Sequence, residues 1–69
     1  MDALLSQFSQ LLVSRRKELN IKQGDLSGMT GIAIRTIRDL EKGKGNPSLE
    51  TLEQLMRVLG IELNFKLKK

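Results

Sequence analysis

The chain has 69 residues, enough for one small domain, and its 12 Lys and Arg outnumber 8 Asp and Glu for a net charge of +4. It contains no Cys and no His, which excludes a disulfide framework and thiolate or imidazole metal sites and removes the commonest general base. No apolar run approaches the ~20 residues of a membrane span, and Asp2 stands where a signal peptide would be positive, so a cytoplasmic protein is expected.

A basic balance favours polyanions non-specifically, and only the placement of the charges can sharpen that. The first helix is expected to start near Asp2 or Ser6, either an acceptable N-cap. Leu5, Phe8, Leu12, Arg16 and Leu19 fall on one helical stripe, with Arg16 its single basic member. Asn20 suits the C′ position, and Ile21 reads as core in the connection. A second, short helix from about Gln23 to Met29 turns Leu26 and Met29 inward. Gly24 and Gly28 weaken it by up to ~1 kcal/mol each relative to Ala, so packing must hold it.

Thr30-Gly31-Ile32 reads as a turn, with Gly31 suited to a left-handed C′ position. The third helix is expected over about Ile34 to Lys42. Ala33 is its candidate N-cap, a poor one, with Ile32 and Ile37 spaced as a hydrophobic staple. Ile37, Leu40 and Glu41 share the inward side; Ala33, Ile34, Arg35, Arg38, Asp39 and Lys42 lie outward. Gly43 ends this helix and Lys44-Gly45-Asn46 forms a loop. Pro47 and Ser48 open a fourth helix with Ser48 as N-cap, an apolar face of Leu49, Leu52, Leu55, Met56 and Leu59, and Gly60 as terminator.

After Gly60 the period changes. Ile61, Leu63, Phe65 and Leu67 alternate with Glu62, Asn64, Lys66 and Lys68, the pattern of a half-buried strand. A lone strand leaves unpaired donors and acceptors. Pairing with the same strand of a second chain across a two-fold axis satisfies them. The expected fold is therefore all-α over 1–60, a helix-turn-helix bundle of four helices, with residues 61–69 a β-strand dimerisation tail. Lys66, Lys68 and Lys69 solubilise and guard the exposed strand.

The two short helices about Gly31 have the geometry that inserts one helix into the DNA major groove. Gln23, Leu26, Gly31, Ile32, Thr36, Ile37, Leu40, Glu41, Gly43, Asn46-Pro47-Ser48-Leu49 and Leu59-Gly60 resemble, in kind and spacing, the helix-turn-helix domains of phage repressors and Cro, the Cro/CI or xenobiotic-response-element type. The resemblance covers about Phe8 to Gly60. It implies a lambda-repressor-like all-α domain of five helices that binds DNA as a dimer in a bacterial or phage setting. It also implies that Arg16 and Glu41 meet across the domain as a structural ion pair. The chain departs from the family at Gly24, at Ser27 where Ala is usual, and at Ala33 where Ser or Thr is usual. In place of a fifth helix stands the pattern IELNFKLKK, which resembles the C-terminal strand of HipB-type antitoxins, whose tails pair between two chains.

Within that frame Arg35, near the start of the third helix, is the candidate base reader, since Arg offers bidentate donors to guanine O6 and N7. Arg38, one turn on, reaches a base or a phosphate. Ile34 either covers the local core or touches a thymine methyl. Ala33 permits close backbone approach, and Thr36 is open between the two sides. The resemblance implies that Gln23 contacts the DNA backbone, and the amides of its helix start would assist. Lys22, Lys42 and Lys44 are candidate phosphate contacts, contributing affinity rather than sequence choice.

The expected function is a sequence-specific repressor, a homodimer on a palindromic operator. The alternative is an antitoxin of a HipA–HipB-type module that autoregulates its operon and binds a HipA-like toxin kinase. A protein-interaction module without DNA binding has no need of Arg35 and Arg38, and an enzyme has no clustered carboxylate, His or Cys to work with. No cofactor or metal is expected.

Overall fold

Four helices, α1 (Asp2–Glu18), α2 (Gln23–Thr30), α3 (Ile34–Glu41) and α4 (Leu49–Leu59), follow one another in a computed structural model whose described residues are 2–68. Lys69, assigned above to the charged face of the tail, lies outside them. α1 begins at Asp2, which puts Ser6 inside the helix rather than at its start.

Local chemistry sets most of the boundaries. Asn20 takes a left-handed φ of 61°. The Asn20 N–H donates to Lys17 O and the Ile21 N–H to Arg16 O, both at 3.0 Å, which closes α1 in a Schellman motif. Gly31 (φ 78°) ends α2, its N–H donating to Ser27 O at 2.9 Å. At the start of α2, Asp25 accepts from the Lys22 backbone N–H at 3.2 Å. Lys22 has no acceptor with which to complete a capping box. Ala33 is the N-cap of α3 and supplies no side-chain bond, and Lys42 is its C-cap, so the helix stops one residue before the expected Lys42. Ser48 caps α4 by accepting from the Thr51 N–H at 3.1 Å, and Gly60 (φ 69°) closes it.

The core is a single buried cluster of Leu12, Leu26, Ile32, Ile37, Leu40, Leu55 and Leu59, with Leu5, Phe8, Ile21, Val58 and Ile61 packed against it. Ile32 and Ile37, the pair spaced as a staple, are both in the cluster. Ser9 is buried as well, its hydroxyl within hydrogen-bonding reach of Leu5 O and Leu40 O, which ties α1 to the end of α3. Arg15 Nε donates to Leu59 O at 2.8 Å and ties α1 to the end of α4.

Three residues expected on the inner face are exposed: Leu19 (41%), Met29 (58%) and Leu49 (65%). Leu19 falls beyond the last residue of α1, where the helical stripe no longer holds. Met29 sits in the last turn of the short α2, and the buried Ile32 beyond Gly31 fills the core there instead. Leu49, at the first position of α4, lines a shallow groove with Met56, Ile61, Leu63 and Phe65.

Residues 61–68 form neither helix nor strand in the single chain, so all regular structure among the described residues is helical. Ile61 packs on the core, whereas Phe65 and Leu67 are 87% and 98% exposed. No helix among the described residues is long and apolar enough to cross a membrane.

Candidate nucleic-acid interface

α2 and α3 are joined by a turn that side chains fasten from both ends. Ser27 Oγ donates to Ile32 O at 2.6 Å. Thr30 Oγ1 donates to Leu26 O at 2.8 Å and accepts from the Ile32 N–H at 3.2 Å. Ser27, which stands where the resembling family has Ala, therefore has a structural use: it bridges α2 to the segment entering α3. Sequence spacing could not reveal this bond, because its acceptor is a carbonyl positioned by the left-handed Gly31.

The outer side of α3 presents Arg35, Arg38 and Ala33, all exposed, with Ile34, Thr36 and Asp39 half-buried. A Cβ on Gly24 would lie 3.9 Å from Ile34 Cδ1. The tip of the Ile34 side chain thus lies beside Gly24 of α2, at a distance that is ordinary van der Waals contact. Arg35 makes no hydrogen bond or ion pair to any described residue. Arg38 does: its Nε donates to Gln23 Oε1 at 3.3 Å.

Gln23 is half-buried at the first position of α2, and its amide is engaged on both sides, since Nε2 also donates to Glu41 Oε1 at 3.0 Å. Glu41 in turn receives two bonds from Arg16, Nε to Oε2 at 2.6 Å and Nη2 to Oε1 at 3.0 Å. This is the bidentate geometry that makes Arg–carboxylate pairs strong. The side chains of Arg16 and Glu41 are 13% and 9% exposed, and Arg16 Nη1 donates to Ile21 O at 2.9 Å. No buried side-chain N or O among the described residues is left without a partner. Four charged or polar groups from α1, α2 and α3 thus form one chain: Arg16, Glu41, Gln23, Arg38. The Gln23 links were not legible in the sequence, where Gln23 reads as a surface or DNA-facing glutamine.

Lys22, Lys42 and Lys44 are exposed at the α2 N-cap, the α3 C-cap and the following loop. The Lys44 N–H donates to Asp39 O at 2.8 Å, which fixes the loop against the end of α3. Among the described residues no group of three or more acidic, His or Cys side chains could hold a metal ion.

A family model described as "Helix-turn-helix" matches residues 12–66, which takes in α2, the turn, α3 and α4. The HTH-type transcriptional regulator DdrOP3 of Deinococcus deserti is 39% identical over 49 residues, 71% of this chain and 38% of that protein. The uncharacterized HTH-type transcriptional regulator y4mF of Sinorhizobium fredii is 37% identical over 71% of this chain and 64% of its own length. An uncharacterized HTH-type transcriptional regulator of Methanothermobacter thermautotrophicus is 40% identical over 75% of each chain. The matched stretch is only about a third to two thirds of the two former relatives, so both extend well beyond it. No solved structure is a significant match. With the model spanning the whole helix–turn–helix and most of the chain, this protein belongs to the helix-turn-helix family.

Proposed function

We propose that the protein is a sequence-specific DNA-binding transcriptional regulator, a repressor that acts as a homodimer on a palindromic operator with α3 in the major groove. One observation carries the proposal: α3 turns Arg35 and Arg38 outward while its other side, Ile37 and Leu40, is locked in the core. The relatives named as HTH-type transcriptional regulators support it. Arg35, which makes no hydrogen bond or ion pair to any described residue, is the base reader, and Ile34, Thr36 and Ala33 shape the close approach. Lys22, Lys42 and Lys44 face the phosphates and add salt-dependent affinity, and Gln23, its amide held by Glu41 and Arg38, stands at the DNA backbone beside them. Residues 61–69 are the dimerisation tail, in which Ile61, Leu63, Phe65 and Leu67 pair with the same strand of a second copy. Two α3 helices then enter successive major grooves about 34–36 Å apart. The chemistry requires no cofactor, and the setting is the cytoplasm.

Selection from a pool of random duplexes, followed by gel shifts on the enriched site, tests this proposal. A preferred palindrome bound far more tightly than bulk DNA at physiological salt is the expected result. Arg35→Ala should remove about 1–3 kcal/mol of discrimination at one base pair of each half-site. Binding no tighter than to random DNA would sink the specific-regulator reading.

A second reading is an antitoxin that autoregulates its operon and also binds a HipA-like toxin kinase. It rests on the alternating, exposed tail after Gly60. Co-purification with the product of a neighbouring kinase-like gene would support it, and a gene with no such neighbour argues against it.

A further inference from the structure

We propose that Gln23 is a positioning residue for Arg38, and that the buried Arg16–Glu41 pair dictates how it does so. The inference rests on the DNA-binding reading above and adds a specificity role inside it.

The geometry has a direction. Glu41, an ionised carboxylate held by Arg16, only accepts hydrogen bonds. The Gln23 amide can therefore meet it with the NH2 end alone, and does so at 3.0 Å. A planar carboxamide fixed at its nitrogen must send its oxygen the other way. That oxygen lies 3.3 Å from Arg38 Nε on the outer side of α3. The anchor lies deep, with only 9% of the Glu41 side chain exposed, so turning the amide over would set its oxygen against a buried carboxylate oxygen. An exposed arginine ordinarily samples many rotamers and loses that freedom when it binds. Arg38 has its Nε donor engaged before any ligand arrives, and its Nη groups make no hydrogen bond to a described residue. Arg35, three residues earlier on the same helix, has no such tether. The two arginines are thus unequal: one is set by the core through Gln23 and the other is free to adapt.

The experiment has a DNA-free arm and a DNA arm. In the DNA-free arm, NMR of the full chain compares the Nε–Hε groups of Arg38 and Arg35. Arg38 is expected to be ordered and slow to exchange with water, and to become as mobile as Arg35 in Gln23→Met. An Arg38 Nε–Hε already as mobile as that of Arg35 in the wild type overturns the proposal, whatever the variant does. In the DNA arm, duplexes selected from a random pool are changed one base pair at a time. Arg38→Ala identifies the base step that depends on Arg38. Gln23→Met should lower the preference at that same step by about threefold to tenfold, the effect of freeing one long side chain. It should leave preference at the Arg35-dependent step intact, which a general loss of fold would not do. Unchanged preference at the Arg38 step, with wild-type discrimination present, overturns the proposal. A wild type that discriminates nowhere overturns the regulator reading instead, and the DNA-free arm still decides whether Gln23 holds Arg38.

Discussion

Glu41, at the end of α3, joins side chains from α1 and α2. Its two oxygens accept from Arg16 and Gln23, and Arg16 also holds Ile21 O, the carbonyl just beyond α1. Removing the charge from one partner leaves the other buried and uncompensated. Glu41→Gln is expected to destabilise the fold by about 3–5 kcal/mol, a large share of the ~5–15 kcal/mol typical of a whole domain. Urea unfolding of the variant against the wild type measures it, and a loss below ~1 kcal/mol would contradict the burial argument. Replacing both partners together, Arg16→Met with Glu41→Leu, should recover much of the loss, because no charge is then stranded. Two members of this site carry a sequence signal: a lone arginine on an apolar stripe and a glutamate on an inward helix side. Gln23 carries none. Its role depends on α1, α2 and α3 meeting at one point, and no spacing within a single helix encodes that.

At the scale of elements, α2 is the weakest piece, two turns long with Gly24 and Gly28 inside it and no side-chain cap. Its two neighbouring glycines behave oppositely under the same substitution. Gly28 is helical and a Cβ there meets nothing within 4 Å, so Gly28→Ala should stabilise by about 0.5–1 kcal/mol. Gly31 holds φ +78°, so Gly31→Ala should destabilise by roughly 1–2 kcal/mol although the space around it is equally open. Thermal melts of the two variants should therefore move in opposite directions, by about 4–8 °C per kcal/mol in a domain of this size. Equal shifts would refute the backbone explanation. Helix ends were legible because caps are local chemistry: Asn20, Gly31, Ser48 and Gly60 each stop or start a helix with their own backbone or side chain. The orientation of residues next to those ends was not. Leu19, Met29 and Leu49 fit an inward stripe by spacing, yet at a terminus the next segment decides what is covered, and at each of these points it left them exposed.

At the scale of the whole molecule, the tail is the unfinished part. Its period-two pattern is plain in the sequence, but strand hydrogen bonds need a neighbour, and no strand forms among the described residues. On the proposed tail pairing, deleting residues 63–69, which keeps Ile61 on the core, should give a folded monomer where the full chain is a dimer, with weakened affinity for the selected duplex. Sedimentation velocity reads the mass and circular dichroism reads the retained helix. A truncated chain that remains fully dimeric would rule out tail pairing as the basis of association. Phe65→Lys makes the same test without shortening the chain, since its side chain is 87% exposed in the monomer and no core contact is lost.

The buried cluster has a consequence for turnover. It draws Leu12 from α1, Leu26 from α2, Ile32 from the turn, Ile37 and Leu40 from α3, and Leu55 and Leu59 from α4. No helix has a core of its own, and small single domains of this kind open all at once. α3 is therefore expected to melt together with the remainder, and its innermost amides, those of Ile37 and Leu40, to be among the slowest to exchange with solvent. In a cell, a protease that captures the opened chain removes reader and scaffold in one event, at a rate set by the stability of the whole. The same few leucines and isoleucines that hold α3 in place therefore also set how long each molecule lasts.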